Sequence, residues 1–287
     1  MAIEEYCAPT SLDDALARLR GGDCTVLAGG TDLMPQAHAG RVKFGRALVN
    51  IQRIDALHAI DRVDGAVRIG ALVTITELMR DPLVRELFPV LVDACDHFAS
   101  DQLRNAATIG GNVCNASPAG DTLVPLLVHD AAVELAAKPD GRVETRHVPL
   151  AEFFRGPGKT ARAPHELLCA LHLPLPPPGF RARFCKFGTR PALDISAVAI
   201  GLGGIRDGRA LAKPRVAYGA VAPVPMRAHR TERALDGTTL DAAAIARIAG
   251  VARDEVRPID DVRASAWYRR ELVYNLTRRM LDDVAEA

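Results

Sequence analysis

The stretch Leu173-Pro174-Leu175-Pro176-Pro177-Pro178-Gly179 constrains what this chain can fold into more than any other part of it. Proline locks φ, removes a backbone donor and clashes with the preceding helical turn, so neither a helix nor a central strand runs through it. Such a run suits a stiff spacer. It divides the 287 residues into a first domain, 1–175, and a smaller second one, 176–287, within a length that allows two cores.

Upstream of the prolines, residues 11–19 read as a short helix. Ser11 is a ready N-cap, Leu12, Ala15, Leu16 and Leu19 share a face, and Gly21-Gly22 stops it. Residues 25–28 read as a strand running into Gly29-Gly30, and 48–51 and 67–71 as further strands. Thr74 opens a helix, with Glu77 placed for a capping box. Residues 83–99 are mostly apolar and read as helical, 124–131 as a buried helix or strand, and 132–136 as a strand. Downstream, strands over 180–187, 197–205 and 216–221 precede helices over about 241–256 and 265–281. The last helix has Tyr268, Leu272, Leu276 and Met280 on one face. Strands and helices interleave throughout, which makes the fold class α+β.

Charge and cysteine usage narrow the function. A formal net charge of +1 creates no global field for polyanions, so nucleic acid and membrane surfaces are not expected partners. No apolar stretch is long enough for a membrane span. The N-terminus MAIEEYC has acids where an export signal has bases, and a cytoplasmic location is expected. Cys7, Cys24, Cys95, Cys114, Cys169 and Cys185 form no C-x-x-C pair and the histidines are dispersed. The expectation is free thiols and no metal held by this chain.

Two glycine pairs carry the chemistry. The first lies in Val26-Leu27-Ala28-Gly29-Gly30-Thr31-Asp32-Leu33. Two glycines after a strand let the backbone turn sharply and let a ligand approach bare main chain. Successive N–H groups there can form an anion nest, to which the Thr31 hydroxyl adds a donor. Asp32 would repel a phosphate, so it reads as a clamp on loop N–H groups or as a partner for a ribose hydroxyl. The second pair lies in Thr108-Ile109-Gly110-Gly111-Asn112-Val113 and has the same grammar. Two such corners brought together can grip a dinucleotide diphosphate from both sides with backbone donors, or they are simply tight turns. Neither is the G-x-G-x-x-G fingerprint or a P-loop.

Together, A-G-G-T-D-L at 28–33 and T-I-G-G-N-V-C-N-A-S-P-A-G-D at 108–121 resemble the flavoprotein family of molybdenum hydroxylases, which includes the medium subunit of carbon monoxide dehydrogenase and the FAD domain of xanthine dehydrogenase. The stretches 166–174, 184–195 and 261–269 resemble further parts of that family, in order along the chain. The resemblance implies an FAD-binding domain of the vanillyl-alcohol-oxidase (PCMH) type with two subdomains, roughly 1–55 and 56–175, followed by a C-terminal α+β domain with an antiparallel sheet and helices. It implies that 26–33 and 108–112 contact the pyrophosphate of a non-covalent FAD. It further implies that Phe98, Asp121, Leu168 and Lys186 touch the cofactor and that Ile195 lies over its ring system. The plain alternatives are core packing for Phe98, Leu168 and Ile195, a helix N-cap for Asp121, and a solvated charge for Lys186. Arg190 reads either as a group tuning the flavin or as a surface charge, and Cys114 and Cys185 read as packing residues.

The same resemblance implies a chain with no catalytic acid or base of its own. It would take electrons from [2Fe-2S] clusters on a small partner subunit and pass them to an external acceptor. A large subunit with the molybdenum cofactor would complete a dimer of heterotrimers. A stand-alone flavin-dependent oxidoreductase is the first rival, although only about 110 residues follow the prolines to build a separate substrate domain. The second rival is a non-enzymatic dinucleotide-binding module.

Overall fold

A computed structural model describes residues 3–190 and 193–286. Pro191 and Ala192, which belong to the 184–195 motif, lie outside the described residues, as do Met1, Ala2 and Ala287. Along the chain the first elements are β1 (Glu5–Cys7), α1 (Leu12–Leu19), β2 (Cys24–Leu27), α2 (Leu33–His38), β3 (Ala47–Asn50), β4 (Ile60–Val63), β5 (Ala66–Gly70) and α3 (Ile75–Arg80). Next come α4 (Pro82–Leu87), α5 (Pro89–Asp96), α6 (Asp101–Arg104), α7 (Ile109–Asn115), α8 (Leu123–Val128), β6 (Ala132–Ala137) and β7 (Glu144–Pro149). Then follow α9 (Leu150–Phe153), β8 (Phe154–Gly156), β9 (Lys159–Thr160), β10 (Leu167–Pro174), β11 (Phe180–Phe187), β12 (Val198–Asp207) and β13 (Ala210–Gly219). The chain ends with β14 (Met226–Arg227), α10 (His229–Leu235), α11 (Ala242–Glu255) and α12 (Ala266–Glu286).

Two compact units are drawn from interleaved stretches. The first takes residues up to Leu83, Ser100–Ala116 and Ala131–Pro174, and the second takes Val84–Ala99, Ser117–Asp130 and everything from Leu175. The last crossing falls within the proline-rich stretch.

In the first unit β3 pairs in parallel with both β1 and β2, in the order β1-β3-β2. Ser11 caps α1 by accepting from Asp14 N–H at 3.1 Å. The helix buries Ala15, Leu16 and Leu19 in one core with Val49, Ile51, Leu57, Leu167 and Cys169. Burying each large aliphatic side chain there contributes about 1.5–3 kcal/mol. An antiparallel sheet of order β4-β5-β10-β6-β7 accompanies it. Thr74 and Glu77 form the expected capping box at α3.

In the second unit β11-β12-β13-β14 form an antiparallel sheet, and α11 and α12 pack Ile245, Ile248, Val273, Met280 and Leu281 into a core with Val198, Ile200, Val216 and Tyr218. The apolar stretch 83–99 is two helices rather than one. Phe88, at φ −132° and ψ 51°, breaks the path and Pro89 begins α5, where its missing N–H costs nothing. The stretch 124–131 resolves to the helix α8, every residue of which is buried. Among the described residues no helix is long and apolar enough to cross a membrane.

Candidate functional site

The residues singled out from the sequence divide between the units. Residues 26–33, 108–112 and Leu168 belong to the first, and Phe98, Asp121, Lys186 and Ile195 to the second.

β2 is the half-buried edge of the three-stranded sheet, and Leu27 O accepts the last ladder bond, from Ile51 N–H at 3.0 Å. The chain then turns through Ala28, Gly29 and Gly30. Gly30 has φ +69°, a left-handed conformation that glycine adopts without strain. Gly29 lies directly on the backbone that leads into the second motif. A Cβ on it would stand 1.9 Å from the Ala106 carbonyl oxygen and 3.3 Å from Ala107 Cα. Gln36 of α2 adds a tie to α7 by donating from Nε2 to Asn115 Oδ1 at 3.1 Å. The two glycine motifs, distant in sequence, are therefore neighbours in the fold of the first unit.

Among the described residues, the N–H groups of Gly29, Gly30, Thr31 and Asp32 find no acceptor within the chain. Four successive N–H groups without an internal acceptor, on a turn that lacks two side chains, leave bare backbone that an anion can approach. Asp32 precedes α2 without a side-chain cap bond, and its carboxylate is exposed. The loop-clamp reading of Asp32 therefore fails, because its carboxylate grips no loop N–H.

The second motif is not a turn after a strand. Gly110 and Gly111 form the first turn of α7, capped by Thr108, whose hydroxyl accepts from Gly111 N–H at 3.1 Å. Ile109 N–H donates to Val73 O at 2.9 Å, Gly110 N–H to Ala71 O at 3.0 Å and Asn112 N–H to Thr108 O at 2.9 Å. The backbone donors expected to meet an anion here are already engaged. Gly110 is required by packing, since a Cβ would fall 2.7 Å from Ala71 Cβ. This motif presents the half-exposed Gly111 and Asn112. Leu168, only 2% exposed, is a core side chain at the irregularity where β10 changes register against β6.

In the second unit Lys186 of β11 donates from Nζ to Asp121 Oδ2 at 2.7 Å and to the His97 carbonyl at 3.0 Å. Asp121 Oδ1 accepts from Ser196 Oγ at 2.9 Å. Both charged side chains are nearly buried, so Lys186 is no solvated charge, and Thr122 rather than Asp121 stands at the N-cap of α8. Burial pushes the Asp121 carboxyl above its ordinary range, and the Lys186 charge and the hydrogen bonds only partly offset this. Phe98, next to the His97 carbonyl, is half-buried.

Asp194 staples the loop that follows. It accepts from Thr189 N–H, from Thr189 Oγ1 at 2.9 Å, from Arg190 N–H at 2.9 Å and from Ile195 N–H at 2.9 Å. The Thr189 hydroxyl bond leads these in holding its carboxyl below the usual range. The stapled loop displays Leu193 and Ile195, 57% and 50% exposed, with Leu193 at φ 55°. Arg190 Nη2 turns back to donate to Leu193 O at 2.5 Å. Burial pushes the Cys114 and Cys185 thiols up, which suits packing residues. Ser196, Asp194 and the His97 carbonyl escaped the sequence reading, because single short polar residues in loops carry no periodic signal.

Comparison with known proteins gives this geometry a family. Residues 2–176 match the family described as "FAD binding domain in molybdopterin dehydrogenase", and residues 183–284 match "CO dehydrogenase flavoprotein C-terminal domain". The chain is 32% identical over 286 residues to the xanthine dehydrogenase FAD-binding subunit of Escherichia coli O157:H7, covering 98% of this chain and 96% of that one. It is 30% identical to the carbon monoxide dehydrogenase medium chain of Afipia carboxidovorans, covering 97% and 95%. Among solved structures, the carbon monoxide dehydrogenase of Hydrogenophaga pseudoflava lacking the Mo-pyranopterin moiety superposes with a TM-score of 0.90 at 28% identity, covering 97% of this chain and 96% of that one. Quinoline 2-oxidoreductase from Pseudomonas putida 86 gives 0.91 at 26%, covering 100% and 98%. With a mixed FAD-binding domain followed by a domain of antiparallel sheet and helices, the chain belongs to the FAD-binding subunit family of the molybdopterin dehydrogenases.

Proposed function

We propose that this chain is the electron-transfer subunit of a molybdenum-dependent hydroxylase or dehydrogenase, taking electrons from [2Fe-2S] clusters of a partner subunit and passing them to an external acceptor. The observation that carries the reading is the turn at 29–32, where, among the described residues, four adjacent N–H groups lack internal acceptors on a corner seated against Ala106 and Ala107. A diphosphate satisfies such donors without lysine or arginine, and the family supplies FAD as the dinucleotide. FAD, when bound, supplies a redox centre that accepts electrons singly and releases them in pairs.

The residues of this chain bind and orient. The backbone of 26–33 would hold the diphosphate, with Asp32 accepting from a ribose hydroxyl. The half-exposed Gly111 and Asn112 would lie against it, while the buried Thr108, Ile109 and Gly110 hold that corner in place from beneath. Ile195 offers apolar surface to a flat ring, and Phe98 and the backbone of Leu168 complete the contacts. Lys186 and Asp121 position their loops, and Lys186 keeps its third ammonium proton for the cofactor. Residues 1–175, in subdomains 1–55 and 56–175, form the flavin domain, and 176–287 the C-terminal one. A small iron–sulfur subunit and a large molybdopterin-binding subunit in a cytoplasmic dimer of heterotrimers complete the proposal. The relatives named for xanthine, glyceraldehyde, nicotinate and carbon monoxide differ in substrate, which accords with a substrate pocket on another chain.

Purification of the native complex tests this. Yellow protein with stoichiometric molybdenum and iron, bleached by substrate, is the expected result. A complex without either metal would end the electron-relay reading. Asp32→Ala tests the ribose contact separately. Because that carboxylate is exposed and unpaired among the described residues, folding stability should stay within about 0.5 kcal/mol, while FAD affinity, read by flavin fluorescence, falls roughly tenfold for one lost charge-assisted bond. Unchanged FAD affinity would remove Asp32 from the site.

A further inference from the structure

The antiparallel sheet of the first unit carries a polar row on one face. Arg68 of β5 stands opposite His172 of β10, and Glu134 of β6 opposite His147 of β7. Glu134 and Ala170 are also directly paired, and Ala170 lies two residues from His172, so all four polar side chains share a face. Arg68 Nε and Nη2 donate to the two oxygens of Glu134 at 3.1 and 3.0 Å. His172 Nε2 lies 2.7 Å from Glu134 Oε2, and His147 Nε2 lies 3.9 Å from the same oxygen. The two imidazoles meet edge to face with centroids 4.6 Å apart, and one ligand atom from each of Glu134, His147 and His172 lies within 4.8 Å of the other two.

Two imidazoles thus converge on one carboxylate oxygen whose charge Arg68 already balances. A hydrogen bond from one ring satisfies that oxygen, and the second ring, at 3.9 Å, makes no bond to it. We propose that Glu134, His147 and His172 form a binding site for a divalent transition-metal ion, with zinc as the reference ion and water completing its shell. Two imidazoles and a carboxylate are a ligand set that zinc takes, and zinc–ligand lengths of about 2.0–2.2 Å set ligand atoms roughly 3.3 Å apart. His172 withdraws and His147 closes to reach that spacing, with the strands fixed. Arg68 remains behind the carboxylate as its orienting partner, and coordination takes neutral imidazoles, so any proton on either ring leaves to solvent.

The test is equilibrium dialysis of the chelator-treated full-length chain against zinc, with X-ray absorption on the loaded protein. One zinc per chain with a nitrogen and oxygen shell near ~2.0–2.1 Å is expected. His147→Ala should weaken binding roughly tenfold or more, and His147→Ala/His172→Ala should lose that equivalent. Zinc should raise the melting temperature of the parent and not that of the double variant. The His147 side chain is 52% exposed, so His147→Ala should fold like the parent, and its affinity decides alone if the double variant does not fold. No retained zinc, a stoichiometry untouched by the substitutions, or a sulfur shell near ~2.3 Å pointing to the free cysteines would each overturn the site.

Discussion

The buried ion pair of Lys186 and Asp121 shows how single residues hold the second unit's loops in place. Their side chains are 8% and 10% exposed, so each charge depends on the other and on Ser196 and the His97 carbonyl. Removing one partner of such a pair leaves an uncompensated charge, at a cost of about 3–5 kcal/mol. Here part of that cost is relieved by protonation, because burial already raises the Asp121 carboxyl. Lys186→Met should therefore destabilise by about 3 kcal/mol in a urea titration. Lys186→Met/Asp121→Asn should recover most of it, and a single variant within about 1 kcal/mol of the parent would show that the pair is dispensable.

At the level of elements, α8 approaches β12 and β13 through two glycines. A Cβ on Gly201 would stand 2.8 Å from Val128 Cγ2 and 2.9 Å from Val124 Cγ1, and one on Gly219 would stand 3.0 Å from Val124 Cγ2. Glycine inside a strand is weak in itself, and here it marks the close passage of a helix. Gly201→Ala should cost about 1–3 kcal/mol by overpacking. Gly250 inside α11 is the contrasting case, since nothing lies within 4 Å of its added Cβ. Gly250→Ala should stabilise by up to about 1 kcal/mol through helix propensity, and thermal melts of the two variants should move in opposite directions. The starts of α1 and α3 were legible from their caps, because a cap lies within three residues of its acceptor. β7 was not legible. It is an edge strand with only Val148 buried, so no apolar alternation announces it.

For the whole molecule, the response to acid can be read from two groups. His129 is 2% exposed, packed between the rings of Phe88 and Phe180 at 4.9 and 5.6 Å, and neither ring nitrogen has a hydrogen-bond partner among the described residues. Burial, and then the Arg215 charge, push its pKa down to about 4. The unfolded chain takes this proton near pH ~6.5 while the folded one refuses it until about 4, so stability falls on acidification across that window, by about 3 kcal/mol for this group. Asp261 acts lower. Burial works upward on it, but bonds from Arg269 Nη2 at 2.8 Å and from the Arg263 and Ala264 N–H groups hold its carboxyl at about 2. Its contribution, of order 1–2 kcal/mol after solvent screening, is present above pH ~4 and lost on the way to 2. Melting temperature against pH should decline below about 6.5 in the parent. His129→Phe should show a shallower decline down to about pH 4.5 and the same loss below 4, and superimposable profiles would refute the assignment.

The amino-acid sequence by itself determined the local pieces: the caps, the strand before Gly29, the proline barrier, the α+β mixture and the motif that identifies the family. Each is written within a few adjacent residues, where turns, pleats and caps are settled. Only the tertiary structure decided which groups meet. It seated Gly29 on Ala106, spent the donors of 109–112 on Ala71, Val73 and Thr108, buried Lys186 with Asp121, and aimed two dispersed histidines at Glu134. Those partners are chosen by strand register and helix docking between distant segments, and a shift of one residue in register turns every side chain of a strand to the other face.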